Sequence, residues 1–496
     1  MPRHQVTETS FNITRGDDPG PDSRRWKALA LLCAAYFMVI VDSQIVILAM
    51  PFIESELGFT PAGVQWVMSA YLLSFGGLLL FGGRTADLLG GRRMFMIGTA
   101  LFLAASLLCG LAVTSEMLIA ARIAQGVAAA IMTPTAMAVL MHTFGEGPER
   151  NKALGVWTGI GAFGATAALL IGGPITELLG WEWIFFINIP IAGLILLLGP
   201  RVLRETPVRP GKRSFDPFGA LTVTLAVALL VYGVVEAPEV GWGSGRTIGL
   251  LVAAAVLAVL FLMIEARSKS PLVPLKIFRS ATFVGGNLLM LLVAMSVFGG
   301  ALITSLYAQQ VLGYSAIVFG LSTAIYAAMS IIGANVGARL AGKVGYKLIA
   351  LVGAILLGTG LLLLSQVSAD GNYWSDLFWG LVVFGTGIGS TNVAASIAAL
   401  SGVRPEESGL ASGVNGAVFQ IGAAFGIAIS STVAVAVTDG SESRFALTEG
   451  FQGAFLATAV FAGLALLTAL AMFLIRQPAA ASHQAAEAEV PEPAKN

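Results

Sequence analysis

Gly83-Arg-Thr-Ala-Asp-Leu-Leu-Gly90 and Ala338-Arg-Leu-Ala-Gly-Lys-Val-Gly345 share arginine, alanine and glycine at fixed offsets, and each follows a long apolar block. The match places two halves of the chain in the same orientation, as in a helical bundle duplicated about an axis along the membrane normal. With six helices per half, the second helix would match the eighth. Here it matches the tenth, so two helices, the seventh and eighth, are inserted between the halves.

The blocks around these stretches are the length of membrane spans. Of 496 residues, 56% are hydrophobic and 11% charged, with 59 glycines, whereas an ordinary soluble domain carries about a quarter charged residues. Fourteen apolar blocks of about 18 to 25 residues can be drawn, each able to cross about 30 Å of hydrocarbon at 1.5 Å per residue. The expected class is an all-α membrane protein with 14 transmembrane helices, two six-helix pseudo-repeat bundles and two inserted helices. Of the 28 Lys and Arg residues, 25 fall in the termini and in alternate loops on one side. Arg246 and Arg444 lie opposite, and Arg122 lies inside the fourth span. Because short cytoplasmic loops hold the cationic excess, both termini are expected to be cytoplasmic. Trp26, Trp66, Trp181, Trp183, Trp242, Trp374 and Trp379 lie at span ends, at headgroup level.

The expected segments are a cytoplasmic tail, 1–27; an N-terminal six-helix bundle, 28–202; a basic loop, 203–217; the inserted helices, 218–264; a C-terminal six-helix bundle, 283–475; and a tail rich in Ala, Glu and Pro, 476–496, which reads as disordered. Equal numbers of basic and acidic residues, 28 each, exclude a nucleic-acid-binding surface at the level of the whole chain. Pro210-Gly211-Lys212-Arg213 lacks the upstream glycine of a phosphate loop, so ATP is not expected to drive the protein. His4, His142 and His483 lie in tails or a loop, Cys33 and Cys109 lie in apolar blocks, and no group has metal-ligand spacing. Neither cofactor nor metal is expected, and a nucleophile–base pair for an enzyme is lacking within the spans.

Several stretches resemble the major facilitator superfamily and, within it, the fourteen-helix drug:proton antiporter family, over about Trp26 to Arg476. Gly83, Arg84, Asp87, Gly90, Arg92 and Arg93 resemble the superfamily's cytoplasmic loop signature. Val41-Asp42-Ser-Gln44-Ile-Val-Ile47-Leu-Ala-Met-Pro51 is similar to the family's first-helix motif, with Gln44 in place of Thr and Ile47 in place of Asn. Arg122-Ile-Ala-Gln125-Gly126 is similar to its fourth-helix motif, and Trp66 to Tyr71 and Tyr307 to Tyr314 are family-like. Ala168-Leu169 stands where the antiporter signature has Gly-Pro, ahead of Gly172-Gly173, and Phe419 where the family often has Arg. The resemblance implies proton-coupled export of amphipathic or hydrophobic drugs across a bacterial cytoplasmic membrane. A dedicated exporter of one metabolite (an antibiotic, an amino acid or a siderophore) and a membrane sensor or lipid-handling scaffold that transports nothing are the alternatives. Oligomeric state is not legible.

Ionisable groups inside spans are expensive and by default functional. Asp42 lies about 13 Å below the outer end of the first helix and Arg122 about 8 Å into the fourth, on a rise of 1.5 Å per residue. An Arg side chain can bridge that difference, so the two are expected to pair, with Asp42 as proton site and Arg122 as its modulator; a permanent packing pair is the alternative. A drug entering beside Asp42 would make drug binding and protonation exclusive at one site. Candidate cavity residues are Met38, Gln44, Tyr71, Gln125, Asn287, Tyr307, Gln310, Asn335, Asn392, Asn415 and Gln420. Glu236 is a further candidate at the end of the seventh helix, where an interfacial position is the favoured reading because the inserted helices need not face the cavity.

Overall fold

In the computed structural model, residues 23–60, 63–144, 148–205, 217–241, 243–268, 275–401, 403, 408–438, 441 and 443–474 are described. The expected N-terminal tail up to residue 22, most of the basic loop (206–216) and the C-terminal tail lie outside them.

The described residues form α1 (Ser23–Leu57), α2 (Trp66–Leu89), α3 (Gly91–Gly110), α4 (Ser115–Thr143), α5 (Pro148–Leu179), the short α6 (Trp183–Phe186), α7 (Asn188–Val202), α8 (Pro217–Val240), α9 (Gly245–Arg267), α10 (Ala281–Leu306), α11 (Ala316–Val344), α12 (Tyr346–Leu364), α13 (Trp379–Leu400), α14 (Ser408–Thr438) and α15 (Arg444–Leu474). Helix starts carry their own signals. The hydroxyls of Thr114, Ser244, Ser280 and Ser315 accept from the amides of Met117, Thr247, Phe283 and Val318, which satisfies donors that the helix leaves open. Several helices run past the apolar blocks at one or both ends, because polar residues continue the backbone hydrogen-bond ladder as well as apolar ones do.

This extension takes in both copies of the repeat. Gly83 to Asp87 is not a loop but the last turns of α2, and Ala338 to Val344 closes α11 in the same way. The turn itself is a single glycine in each half, Gly90 (φ 94°) and Gly345 (φ 85°), after which α3 and α12 begin at once. A positive φ is available to glycine without steric cost, and both copies use it at the same offset.

Twelve of the described helical segments are long and apolar enough to cross a membrane. Trp66–Leu79 in α2 and Leu221–Val234 in α8 are shorter apolar stretches. The protein is therefore an all-helical, multi-pass membrane protein.

Helix contacts fall into two groups. In the first, α4 packs on α2, α3 and α1, while α1 also packs on α5 and α7; in the second, α10 packs on α13, α14 and α15, and α12 on α13 and α15. The groups meet along α2–α14 and α5–α11, with lighter contact of α1 with α10 and α11. These seams are built from glycine. A Cβ on Gly173 would come within 2.3 Å of the Ala316 carbonyl oxygen, and one on Gly76 within 2.8 Å of Gln420 Cβ, so α5–α11 and α2–α14 approach backbone to backbone. At the same end of α5, Glu177 Oε2 accepts from the Ile317 amide in the first turn of α11 (3.2 Å), and Ser305 Oγ donates to the Ile47 carbonyl (3.2 Å), joining α10 to α1. The inserted helices lie outside this core: α8 packs on α9, α2 and α14, and α9 presents Val252, Val256 and Val259 outward.

Candidate functional site

Asp42 and Arg122 meet. Arg122 Nη1 donates to Asp42 Oδ2 at 2.6 Å and to Gln125 Oε1 at 2.7 Å, while its Nε donates to the Val67 carbonyl at 2.8 Å. The guanidinium lies 4.1 Å from the centre of the Tyr71 ring, a cation–π contact that counts for more where water is excluded. The other carboxylate oxygen, Asp42 Oδ1, accepts from Gln125 Nε2 and from Asn188 Nδ2, each at 2.9 Å. Gln125 Nε2 also donates to Ser106 Oγ at 2.8 Å. Two helix faces create the cluster: Arg122 and Gln125 are one turn apart on α4, and Asn188 opens α7 just after the break behind α6.

Both charged groups are wholly enclosed, with side-chain exposure of 0% each. A buried ion needs a partner and hydrogen bonds on its remaining sites. Asp42 has donors on both oxygens. Arg122 is left with one orphan, since Nη2 and the neighbouring Tyr71 hydroxyl have no hydrogen-bond partner among the described residues.

The expectation that cargo would enter beside Asp42 needs correcting. A narrow pocket of about 20 Å³ lies between the halves, and α1 contributes Gln44 and Ile47 to it, not Asp42. Residues two apart on a helix are separated by about 200°, so α1 turns Asp42 toward α4 and α7 and Gln44 toward the opposite half. The rest of the pocket is Ala301 and Thr304 of α10, Phe319, Thr323 and Tyr326 of α11, and Leu381 and Phe384 of α13. Both first-helix departures from the family motif, Gln44 and Ile47, thus line it.

The remaining candidates scatter. Met38 is core, while Tyr71 and Gln125 belong to the buried charge cluster. Tyr307 is also enclosed: its hydroxyl lies 2.7 Å from Asp376 Oδ2 and 2.7 Å from the Ser368 carbonyl, tying α10 to the α12–α13 connection. Gln310 and Asn335 are exposed, Asn335 donating to the Ile331 carbonyl of its own helix at 2.8 Å. Asn415 Nδ2 donates to Asn287 Oδ1 (3.4 Å), a bond between α14 and α10, and Asn392 is half-buried on α13. Gln420 packs at the α2–α14 seam, with Oε1 unpartnered among the described residues. None of these lines the pocket. The side chains of Arg84, Asp87 and Glu236 lie outside the described residues. Gly83 is half-buried, Arg93 is exposed, and Arg92 donates to the Pro200 carbonyl at 2.9 Å and faces Glu205 at 4.0 Å, fastening the start of α3 to the end of α7.

Asn188 escaped sequence reading although it interrupts the apolar run Ile184-Phe-Phe-Ile-Asn-Ile, a usable signal. Asp376 escaped because it sits between two blocks. Thr304, Thr323 and Tyr326 carried no signal that separates a pocket wall from a helix contact.

The sequence model of the Major Facilitator Superfamily matches residues 32–427 and 289–496. The chain belongs to that superfamily. Among its relatives, the cephamycin export protein CmcT of Amycolatopsis lactamdurans is 38% identical over 418 residues, covering 84% of this chain and 86% of the relative. The multidrug resistance protein Stp of Mycobacterium tuberculosis is 34% identical over 401 residues, covering 81% and 74%. A solved structure of a bacterial homologue of the human lysosomal transporter Spinster superposes with a TM-score of 0.65 at 17% identity, covering 93% of this major facilitator chain and 100% of that one, which is a likeness of fold. The superfamily makes this protein a transporter and not an enzyme.

Proposed function

We propose that the protein exports antibiotic-like, amphipathic or hydrophobic small molecules in exchange for protons across a bacterial cytoplasmic membrane. In this reading α2 and α8 also span, giving fourteen helices with both termini cytoplasmic, and residues 28–202 and 283–475 form the two moving halves. The relatives named for cephamycin export and multidrug resistance support the cargo class.

The observation that carries the reading is that α1 bears, on opposite faces, a sealed carboxylate and a wall of the pocket between the halves. A proton on Asp42 cancels its charge and leaves Arg122 enclosed without its counter-ion, which penalises the packing of α1 against α4 and α7. Cargo that favours one placement of α1 then favours one protonation state, and the coupling is reciprocal. Drug and proton need not touch.

Everted vesicles test this. Imposing a proton gradient should drive accumulation of a fluorescent hydrophobic dye, and Asp42→Asn should abolish drug-dependent proton movement. Undiminished exchange in that variant refutes the role of Asp42. A narrower reading, a single-compound exporter, is favoured by the relative named for one antibiotic; a competition series of unrelated dyes and antibiotics separates the two.

A further inference from the structure

We infer that the groove between α10 and α15 seats an acyl chain of an anionic phospholipid, whose phosphate is held by Lys276 and Arg279 just ahead of α10. The inference does not depend on what the protein exports.

The groove faces outward and holds about 540 Å³. Leu292 and Met472 are buried at its floor, while Leu288, Leu464 and Leu467 stand exposed at its rims. Gly285 deepens it, because a Cβ there would come within 2.7 Å of Met472 Cγ. From Ala281 to Leu292 the α10 wall rises about 16 Å at 1.5 Å per residue, close to half of the ~30 Å hydrocarbon layer. The groove is thus as long as one leaflet is thick. Thr468 is the one hydroxyl among its lining residues, and Thr468 Oγ1 donates to the Leu464 carbonyl at 2.8 Å, so no side chain in the groove asks for water. Its dimensions and apolar walls match a single lipid tail.

Charge enters at one end. Ala281 lines the groove and is the first residue of α10, and the 3₁₀ turn Leu275–Arg279 lies just ahead of it. In a 3₁₀ helix residues three apart eclipse each other. Lys276 and Arg279 therefore stand on the same side of the turn, both exposed, while Ile277 is buried against Phe283. The Phe278 and Phe283 rings meet edge to face at 5.5 Å, which fixes the turn on α10. Two cations held at this spacing repel, and among the described residues neither meets a carboxylate. A phosphate between them relieves the repulsion and accepts from both. In the orientation proposed above, this end lies in the cytoplasmic leaflet, where the surface is anionic.

A second copy of the chain is a poorer occupant. Copies meeting groove to groove about a twofold axis would set their Lys276 and Arg279 side by side, cation against cation.

The test uses the delipidated full chain in neutral detergent, with lipids of identical tails added and bound lipid counted by native mass spectrometry. The groove's share is the part lost in Ala471→Trp, which puts an indole into the groove at a small, exposed position. Leu288→Trp takes its place if that variant fails gel filtration. Phosphatidylglycerol should bind the groove about thirtyfold more tightly than phosphatidylcholine, each cation near the headgroup favouring the anionic lipid about fivefold. Lys276→Gln and Arg279→Gln should each weaken phosphatidylglycerol about fivefold and leave phosphatidylcholine unchanged. Both positions are exposed, so neither change threatens folding. Glycerophosphoglycerol, the same head group without tails, should not compete. Equal binding of the two lipids, or binding undiminished in Lys276→Gln and Arg279→Gln, overturns the inference. So does binding undiminished in Ala471→Trp and Leu288→Trp, or full competition by the tail-less head group. A dimer in gel filtration that Ala471→Trp dissociates would give the groove to a second copy and overturn it too. A protein that holds the lipid as expected but pumps no dye in everted vesicles defeats the export reading only.

Discussion

Removing Asp42 or Arg122 singly should cost far more than half of what removing both costs. In Asp42→Leu the guanidinium stays fully enclosed with its 2.6 Å partner gone, keeping only the Val67 carbonyl, Gln125 Oε1 and the Tyr71 ring. Orphaning one member of a buried ion pair costs about 3–5 kcal/mol. Arg122→Met is milder, because Asp42 can take up a proton and still accept from Gln125 and Asn188 at 2.9 Å; a charged hydrogen bond lost there is worth about 1.5–3 kcal/mol. The double variant replaces both ions by apolar groups, a change that is often neutral in buried sites. The coupling between the two substitutions should therefore exceed about 3 kcal/mol, at the top of the range for residues in contact. Asp42→Asn should behave like Asp42→Leu: whichever way its amide turns, the nitrogen confronts a donor, either Arg122 Nη1 or the amides of Gln125 and Asn188. The assay is the denaturation midpoint of purified protein in detergent, followed by gel filtration, for both single variants and the double. Losses that simply add would refute the enclosure argument. A double variant that folds and still pumps against a gradient would refute any role of the pair in coupling.

Other consequences are sharper in direction than in size. Gly126→Ala puts a methyl 2.0 Å from Ser74 Oγ and 2.4 Å from the Tyr71 carbonyl, so α4 must part from α2; a cost of about 1–3 kcal/mol should appear in the same midpoint. Gly173→Val drives a side chain into the Ala316 backbone, 2.3 Å from a Cβ, and should loosen the α5–α11 seam; faster labelling of a cysteine placed at Ala301 by an impermeant reagent added outside checks it. Tyr307→Phe deprives Asp376 of a hydroxyl at 2.7 Å and should cost about 1.5–3 kcal/mol without altering proton coupling. Glu177→Gln weakens a carboxylate at the start of α11 and should cost about 0.3–1 kcal/mol, read as a shift in the same labelling rate.

Much of the architecture could be read from the chain because membranes impose a length and a charge asymmetry. Asp42 and Arg122 were conspicuous for the same reason: an ion among twenty apolar residues has few explanations. Their pairing followed from depth alone, but the direction in which they face did not, since periodicity along α1 places Asp42 and Gln44 on opposite sides without saying which side is the pocket. In the sequence Tyr71, Tyr307 and Asn287 look like cavity residues because a polar tip in a span is ambiguous between a ligand contact and a helix–helix bond, and for these three the bond, or the ring contact, prevails. The pocket walls were invisible for the converse reason, as Phe319 and Phe384 look like any core aromatic. The position of Gly83 to Asp87 inside α2 was missed because polar composition suggests a loop, while a helix needs only continued backbone pairing.

Helix α8 packs on both halves, against α2 and α14. Its Thr224 hydroxyl donates to the Gly77 carbonyl of α2 at 3.0 Å, while its Val227 joins Trp66, Leu73 and Phe425 around Ala428 of α14. It therefore bridges the line along which any rocking must shear, with α9 held to the rest mainly through it. In the proposed exchange cycle such a strap would act as a spring in parallel: its stiffness would add to the barrier between states, and a lipid-soluble compound wedged beneath it would slow turnover without ever competing for cargo.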